Sequence, residues 1–245
     1  MKVVIVDQAR MTSTRLPGKI MKTVLGKPLL EYQIERLQRS REATELVIAT
    51  TTNSTDDILA DFCRAHGVGY YRGSESDVLS RYYEAAKAFG ADIVVRVTSD
   101  CPVIDPAVVD EAVRYYLEHQ ADFDYVSNTQ MRSYPRGMDA EVFPFRVLEQ
   151  AFHEGKLKYE REHVTPFLYL HPERYRVGQV RFRVDASRHR WTVDTPEDFE
   201  LVRRIIEALY PEDAQFGLEE ILALLRLHPD WVQINAHVVQ KKLGE

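Results

Sequence analysis

Arg10, Arg15 and Lys19 bring three positive charges into one short loop, Arg10-Met11-Thr12-Ser13-Thr14-Arg15-Leu16-Pro17-Gly18-Lys19. The whole chain carries a formal net charge of -6, so general basicity does not explain them. Guanidinium forks and an ammonium bind phosphate oxygens well, and the simplest ligand for three of them is a polyphosphate. The loop is not a Walker P-loop, which needs Gly, four residues, Gly-Lys and then Ser or Thr. Ser13 stands at the first Gly and Ile20 at the hydroxyl. Recognition must therefore rest on side chains. The competing reading is a solvated loop whose arginines pair with surface carboxylates.

Asp100 is the second residue of interest. It ends an apolar run, Ile93-Val94-Val95, and Cys101-Pro102 follows it. Pro102 stops a strand, which aims the carboxylate into the crevice at the strand tips. Magnesium takes one or two protein carboxylates plus phosphate oxygens and water, and Asp100 meets that description. A cap ahead of Asp105-Pro106 is the plainer alternative. Asp194 also ends a strand at the mouth of a helix, where an anion is favoured in any case. Thr195 already supplies a cap there, which leaves Asp194 available. Cys63 and Cys101 form no CxxC and no zinc spacing. The carboxylate beside Cys101 raises a thiol pKa, which argues against a nucleophile.

These side chains need a scaffold, and the pattern supplies alternating strands and helices. Val3 to Val6 reads as a buried strand that runs straight into the cationic loop. Pro28 opens a helix with Leu30, Ile34 and Leu37 on one face. Glu45 to Thr52 reads as a strand. Ser54 with Asp57 suggests a capping box before Ile58, Leu59 and Phe62. Val68 to Tyr71 is a short strand, followed by a helix with Val78, Leu79, Tyr82 and Phe89. Asp92 to Thr98 forms the central strand, and Pro106 opens a helix with Val109, Val113 and Leu117 inward. This alternation implies a mainly parallel sheet covered on both faces, a three-layer α/β/α sandwich of Rossmann-like type.

The remainder is less regular. Asp124 to Ser127 and Ala140 to Phe143 read as strands, with a turn or mobile loop at Tyr134-Pro135-Arg136-Gly137. Tyr159 to Leu170 is helical in pattern, with Pro166 kinking it or marking a first turn. Arg174 to Phe182 suggests a half-exposed antiparallel strand, and Arg190 to Val193 a short one. Thr195 caps a helix with Pro196 at its first position. Its buried stripe is Leu201, Val202, Ile205 and Leu209. A boundary near residue 210 separates a body, 1–210, from a helical appendage, 211–245. The appendage carries the stripe Leu218, Ile221, Leu222 and Leu225, then a short helix around Trp231, Ile234, Val238 and Val239.

The segment Gln8 to Lys19 resembles the N-terminal signature of the cytidylyltransferases that make CMP-activated acidic sugars. Further motifs carry the resemblance: Ala49 to Asn53, Arg72 to Tyr82, Arg96 to Pro102, Glu160 to Pro166 and Trp191 to Asp198. Within that family the pattern is most similar to the branch of spore coat polysaccharide biosynthesis protein F. The resemblance implies that Asp100 and Asp194 share a magnesium ion, and that Arg15, Lys19 and Asp100 are catalytic. It implies a nucleotide site of Ala9, Arg10, Ser13, Arg15, Lys19, Arg72, Ser74, Asp77, Arg81 and Thr98. The segment with Ser74, Asp77 and Arg81 would face base and ribose, although Ser74 and Asp77 also read as a capping box. Arg136, Asp139, Glu141, Glu162 and His163 are the candidates for a sugar or sugar-like acceptor. A solvated helix face is the plainer account of Glu160 to His163. Related folds dimerise, so a homodimer is expected.

Bulk properties narrow the classes. A chain of 245 residues buries roughly 70–75% of its unfolded surface and needs no staple. A hydrophobic content of 44% and a charged content of 29% are those of an ordinary globular protein. Net charge -6 argues against nucleic acid and membrane surfaces as partners. No stretch approaches a membrane span, and the N-terminus lacks a signal-peptide pattern, so a cytoplasmic protein is expected. The reaction that the resemblance implies is magnesium-dependent transfer of CMP from CTP to a sugar or sugar-like acceptor, releasing pyrophosphate, in surface or spore coat polysaccharide synthesis. Two rivals stand: a glycosyltransferase using a nucleotide sugar, and a silent nucleotide-binding protein. The glycosyltransferase's Asp-x-Asp would have to be Asp122-Phe123-Asp124, which precedes a strand rather than ending one.

Overall fold

The computed structural model describes residues 1–240. The chain begins with β1 (Val3–Gln8), the small hairpin β2 (Thr23–Val24) and β3 (Lys27–Pro28), then α1 (Leu29–Leu37). Strand β4 (Glu45–Thr51), α2 (Asp57–Ala65), β5 (Gly69–Gly73), α3 (Val78–Ala88), β6 (Ile93–Thr98) and α4 (Pro106–Glu118) continue the alternation. Next come β7 (Tyr125–Ser127), β8 (Glu141–Pro144), α5 (Phe145–Glu154), α6 (Lys158–His163), α7 (Pro166–Tyr169) and β9 (Val177–Gln179). Helices α8 (Pro196–Leu209), α9 (Leu218–Leu227) and α10 (Pro229–Val232) close the chain.

Seven strands form one sheet in the order β5-β4-β1-β6-β8-β7-β9. Only β8 runs against the others, pairing antiparallel with β6 and β7. Side chains alternate between the two faces of a strand. Val3 and Ile5 accordingly join one core with α1, α4, α8 and α9, whereas Val4 and Val6 join the other with α3 and α5. This is the expected sandwich with helices on both faces. No helix among the described residues is long and apolar enough to cross a membrane.

Several local expectations need correction. The segment Ser54–Asp56 is a single 3-10 turn and α2 starts at Asp57, with no side-chain cap. Asp56 sits too deep to cap: fully buried, it accepts from Thr51 Oγ1 at 2.5 Å and the Met11 amide at 2.8 Å. Ile58 is exposed, and Cys63 takes its place on the buried face. Residues 174–182 contain only β9, which pairs parallel with β7. Residues 190–193 form no strand, because one bridge from Arg190 to Arg136 is all the pairing they make.

The 134–138 turn is held, not free. Tyr134 and Met138 are buried, and Arg136 exchanges backbone bonds with His189 and Trp191 at 3.0 and 2.7 Å. Gly137 has φ 103, and a Cβ there would lie 2.8 Å from the Trp191 carbonyl carbon. The 158–169 helix breaks at Val164 (φ 71), and Pro166 opens α7. After Trp231 the helix ends at Val232, and Val239 is exposed. Phe216, Leu218, Ile221, Leu222 and Leu225 belong to the same core as Val3 and Ile5. The last five residues of the expected appendage lie outside the described residues.

Candidate active site

The cationic loop leaves the C-terminal tip of β1, at the centre of the sheet. Two bonds shape it. The Met11 amide donates to Asp56, and the Gly18 amide returns to the Met11 carbonyl at 3.0 Å. Gly18 adopts φ 65, the left-handed conformation that glycine tolerates without strain. The short helical turn Lys19–Met21 then begins, with Lys19 on its inner side. Asp100 follows β6, the strand beside β1. Asp194 arrives from a distant segment, held by the Val193 amide on the Asp100 carbonyl at 2.8 Å.

Lys19 lies between the two carboxylates. Its Nζ is 3.0 Å from Asp100 Oδ2 and 2.8 Å from Asp194 Oδ1. Burial pulls its pKa down, but Asp100 and Asp194 outweigh burial and hold it above the usual lysine range. Burial pushes Asp100 up, yet Lys19 and the Thr98 hydroxyl, at 2.7 Å, bring it down to about 2. The second oxygen of Asp194 receives Arg15 at 2.9 Å and Arg190 at 2.6 Å. Behind it, buried Asp198 accepts from Arg190 Nε at 2.9 Å and from the Asp194 amide at 3.0 Å.

The donor set suits a hard divalent cation. Two carboxylates converge on one positively charged nitrogen, which marks a spot where both present an oxygen to a cation. Among the described residues no group of three or more His, Cys, Asp or Glu gathers. Two carboxylates with phosphate and water completing the shell are the usual ligands of magnesium.

A sequence profile of the family described as cytidylyltransferase matches residues 3–237. The chain belongs to the cytidylyltransferase family. An uncharacterized protein of Methanocaldococcus jannaschii is 34% identical over all of this chain and 99% of its own length. Spore coat polysaccharide biosynthesis protein SpsF of Bacillus subtilis is 32% identical over 93% of this chain and 95% of its own. The solved structure of a cytidylyltransferase from Leptospira borgpetersenii superposes with TM-score 0.90 at 35% identity, covering 95% of this chain and 97% of that one. The protein is thus a nucleotidyltransferase by family, and the resemblance to the SpsF branch holds.

Within this cytidylyltransferase the expected site residues divide into groups. Arg15, Lys19, Thr98, Asp100 and Asp194 meet at the strand tips. Arg10 reaches toward Glu75, 3.7 Å away, which also accepts from Thr12 and Asn53 at 2.5 Å. Ala9 is buried, and Ser13 Oγ accepts from the Leu16 amide.

The Arg72–Arg81 segment is bonded to its own surroundings. Arg72 bonds the Thr51 and Asn53 carbonyls and pairs with Asp57. Asp77, not Ser74, caps α3 by accepting from the Ser80 amide at 3.0 Å, and it also pairs with Arg161. Ser74 accepts from the Asp77 amide, and buried Arg81 donates to the Ser74 carbonyl. Lys27 is a bridge to Glu35 and Tyr210.

The acceptor candidates form two clusters. Buried Glu141 receives Arg96 at 2.8 Å and Thr165 at 3.1 Å. His163 lies within electrostatic reach of Glu141 and Arg96, and burial holds it below the usual imidazole range. Asp139 is paired on both oxygens by Arg132. Arg136 feels the charges of Arg132, Asp139 and Arg190. Glu162 is exposed and, next to His163 in the chain, opposes burial by its charge on that imidazole. Its neighbours are not a solvated face: Glu160 is buried and takes the Lys156 and Leu157 amides, and Arg161 holds Asp77. Cys101 is buried, and burial with Asp100 pushes its thiol well up, as its sequence position predicts.

Sequence reasoning missed Arg190, Asp198, Asp56, Glu75, Arg96 and Arg132. A charged residue inside an apolar strand was a usable signal for Arg96. The others owe their roles to partners remote in sequence. Asp124 of the Asp-x-Asp lies at the opposite end of the sheet from Asp100, because β7 runs parallel to β6 and Asp124 precedes it. Arg146 and Arg176 pair with it.

Proposed function

We propose that the protein transfers CMP from CTP to a hydroxyl of a sugar or sugar-like acceptor, with magnesium as cofactor and pyrophosphate as the leaving group. The carrying observation is Lys19 held between Asp100 and Asp194 at the mouth of a cationic loop. In the reaction the acceptor hydroxyl oxygen bonds to the α-phosphorus and releases its proton to water, and the bond from that phosphorus to the bridging oxygen breaks with its electron pair leaving on pyrophosphate. Lys19, Arg15 and Arg10 would hold the β- and γ-phosphates, where negative charge accumulates as pyrophosphate departs. Cations placed there lower the barrier as well as binding substrate. The amides of Thr12, Thr14 and Arg15 have no acceptor among the described residues and add donors for phosphate oxygens. Bound magnesium would polarise the α-phosphate and neutralise charge on the leaving group. Asp100 and Asp194 would hold it, each exchanging Lys19 for the metal as Lys19 turns to the triphosphate.

The family and the SpsF resemblance support cytosine and a role in polysaccharide synthesis, in the surface or spore coat. The same reading takes the protein to be cytoplasmic and a homodimer. Thermal shift with magnesium and each of the four ribonucleoside triphosphates is the direct test. A ligand at 100 times its Kd stabilises by about 2.7 kcal/mol. CTP should shift melting more than the others, and Asp100→Ala should abolish the magnesium-dependent part. A shift by UDP- or GDP-sugars without any by CTP would overturn the reading.

A further inference from the structure

Next to the Asp194 carboxylate, but not lined by it, lies a cavity of about 250 Å3. Its walls come from residues 187–190, the Leu201 turn of α8 and the chain after α10. Neither Lys19 nor Asp100 lines it, so it is separate from the triphosphate site. Arg190 belongs to both places.

Its charge runs against the rest of the molecule. Arg136, Arg188, His189 and Arg190 line it and among the described residues no Asp or Glu does, in a chain of net charge -6. Asp194 and Asp198 neutralise Arg190. Arg188 is exposed and Arg136 half-buried, and among the described residues neither side chain has an ion-pair partner. Burial, then the Arg132 charge, lowers the Arg136 pKa, and burial with Arg188 lowers that of His189. Both groups thus stand in an environment that disfavours positive charge and that an anion would relieve. Leu201 and Val232 give the cavity an apolar side. A carboxylate or phosphate matches the guanidinium fork, and a short carbon body matches the apolar wall. The volume, against roughly 10–15 Å3 for one water in the same measure, admits a compact metabolite.

We propose that this cavity binds a small organic oxyanion, a carboxylate or phosphate carried on a compact carbon skeleton, through Arg136 and Arg188. The inference goes beyond the nucleotidyl-transfer reading and does not depend on it. The oxyanion belongs either to the acceptor or to a separate metabolite, and one experiment distinguishes them.

Gluconate and glycerol 3-phosphate are titrated calorimetrically into the protein at constant ionic strength, with CTP and magnesium titrated in parallel. Saturable binding of at least one anion is expected, weakened at least tenfold in Arg136→Gln and in Arg188→Gln and retained in Asp100→Asn. Arg188 is exposed, so its variant controls for any folding defect of the first. If the bound anion then supports pyrophosphate release from CTP, it sits on the acceptor. If it binds without being consumed, it is a separate ligand. Absence of saturable binding, or equal binding by wild type and both variants, overturns the site. The parallel CTP titration reports the nucleotide reading by itself.

Discussion

Lys19 carries opposing demands. It satisfies Asp100 and Asp194 in this structure, and in the proposed reaction it would release them when phosphate arrives. Among the described residues its Nζ is the one contact that joins both carboxylates. Lys19→Met leaves two largely buried carboxylates facing each other without their shared cation. Breaking such a pair from one side costs several kcal/mol, and residual exposure puts this case at about 3 kcal/mol. The sign with pH follows from Asp100, whose folded pKa, about 2, lies below its unfolded value near about 3.9. Its stabilisation is complete above the unfolded value and is lost as pH falls toward the folded one. The melting gap between wild type and Lys19→Met should therefore be full at pH 7 and close between about pH 4 and pH 2. Added magnesium should narrow it at pH 7.

Asp7 shows the reverse. It is fully buried, burial and then Asp100 push its pKa well up, and its Oδ1 has no partner. Gln33 donates to the other oxygen at 3.0 Å. A raised folded pKa stabilises below the unfolded value and the gain is lost as pH rises through the folded one. Asn is isosteric with the protonated acid. Asp7→Asn should thus match wild type in urea unfolding at pH 4 and exceed it at pH 8. A loss of stability at both pH values would show that Asp7 is charged in the fold.

Helix α8 illustrates how one element sets a site. Thr195 accepts from the Asp198 amide at 3.3 Å while Asp198 accepts from the Thr195 amide at 3.1 Å, a reciprocal capping box. The motif Thr195-Pro196-Glu197-Asp198 makes this start legible in sequence. Asp198, however, also fixes Arg190 and the Asp194 amide, which sequence does not reveal. Thr195→Ala should cost about 1 kcal/mol in urea unfolding, the ordinary value of a cap. It should also weaken magnesium-dependent CTP binding, because Asp194 precedes the cap. Unchanged nucleotide binding would uncouple the helix start from Asp194. The neighbouring bridge at residues 190–193 reads as a strand only because Trp191 and Val193 are apolar. They are buried by packing, not by a sheet ladder.

The segment after α8 closes the body. Arg36, buried in α1, donates to the Ile104 carbonyl at 2.7 Å and to the Phe216 carbonyl at 2.5 Å. Its guanidinium stacks 4.3 Å from the Phe216 ring. Five apolar side chains of residues 216–225 share the core beneath the sheet. At about 1.5–3 kcal/mol for each buried side chain, their loss rivals the whole stability of a domain. A chain ending at residue 210 should therefore lose cooperative unfolding by circular dichroism and become susceptible to limited proteolysis. A truncated form with an intact transition would establish 1–210 as an independent unit.

The sequence by itself determined the sandwich and the sheet-tip loop, and it singled out Lys19, Asp100 and Asp194 as candidates. Those features rest on periodicity, turn chemistry and short motifs, all local in the chain. Only the tertiary structure decided which groups meet. The Val193–Asp100 bond joins segments far apart, and Arg190 and Asp198 act through Asp194 once that bond is made. Arg72 and Asp77 carry the types a nucleotide site would use, and in the fold they pair with Asp57 and Arg161, partners that local sequence does not name. A charged side chain's role depends on which opposite charge folding brings beside it, and that pairing is not written in local sequence.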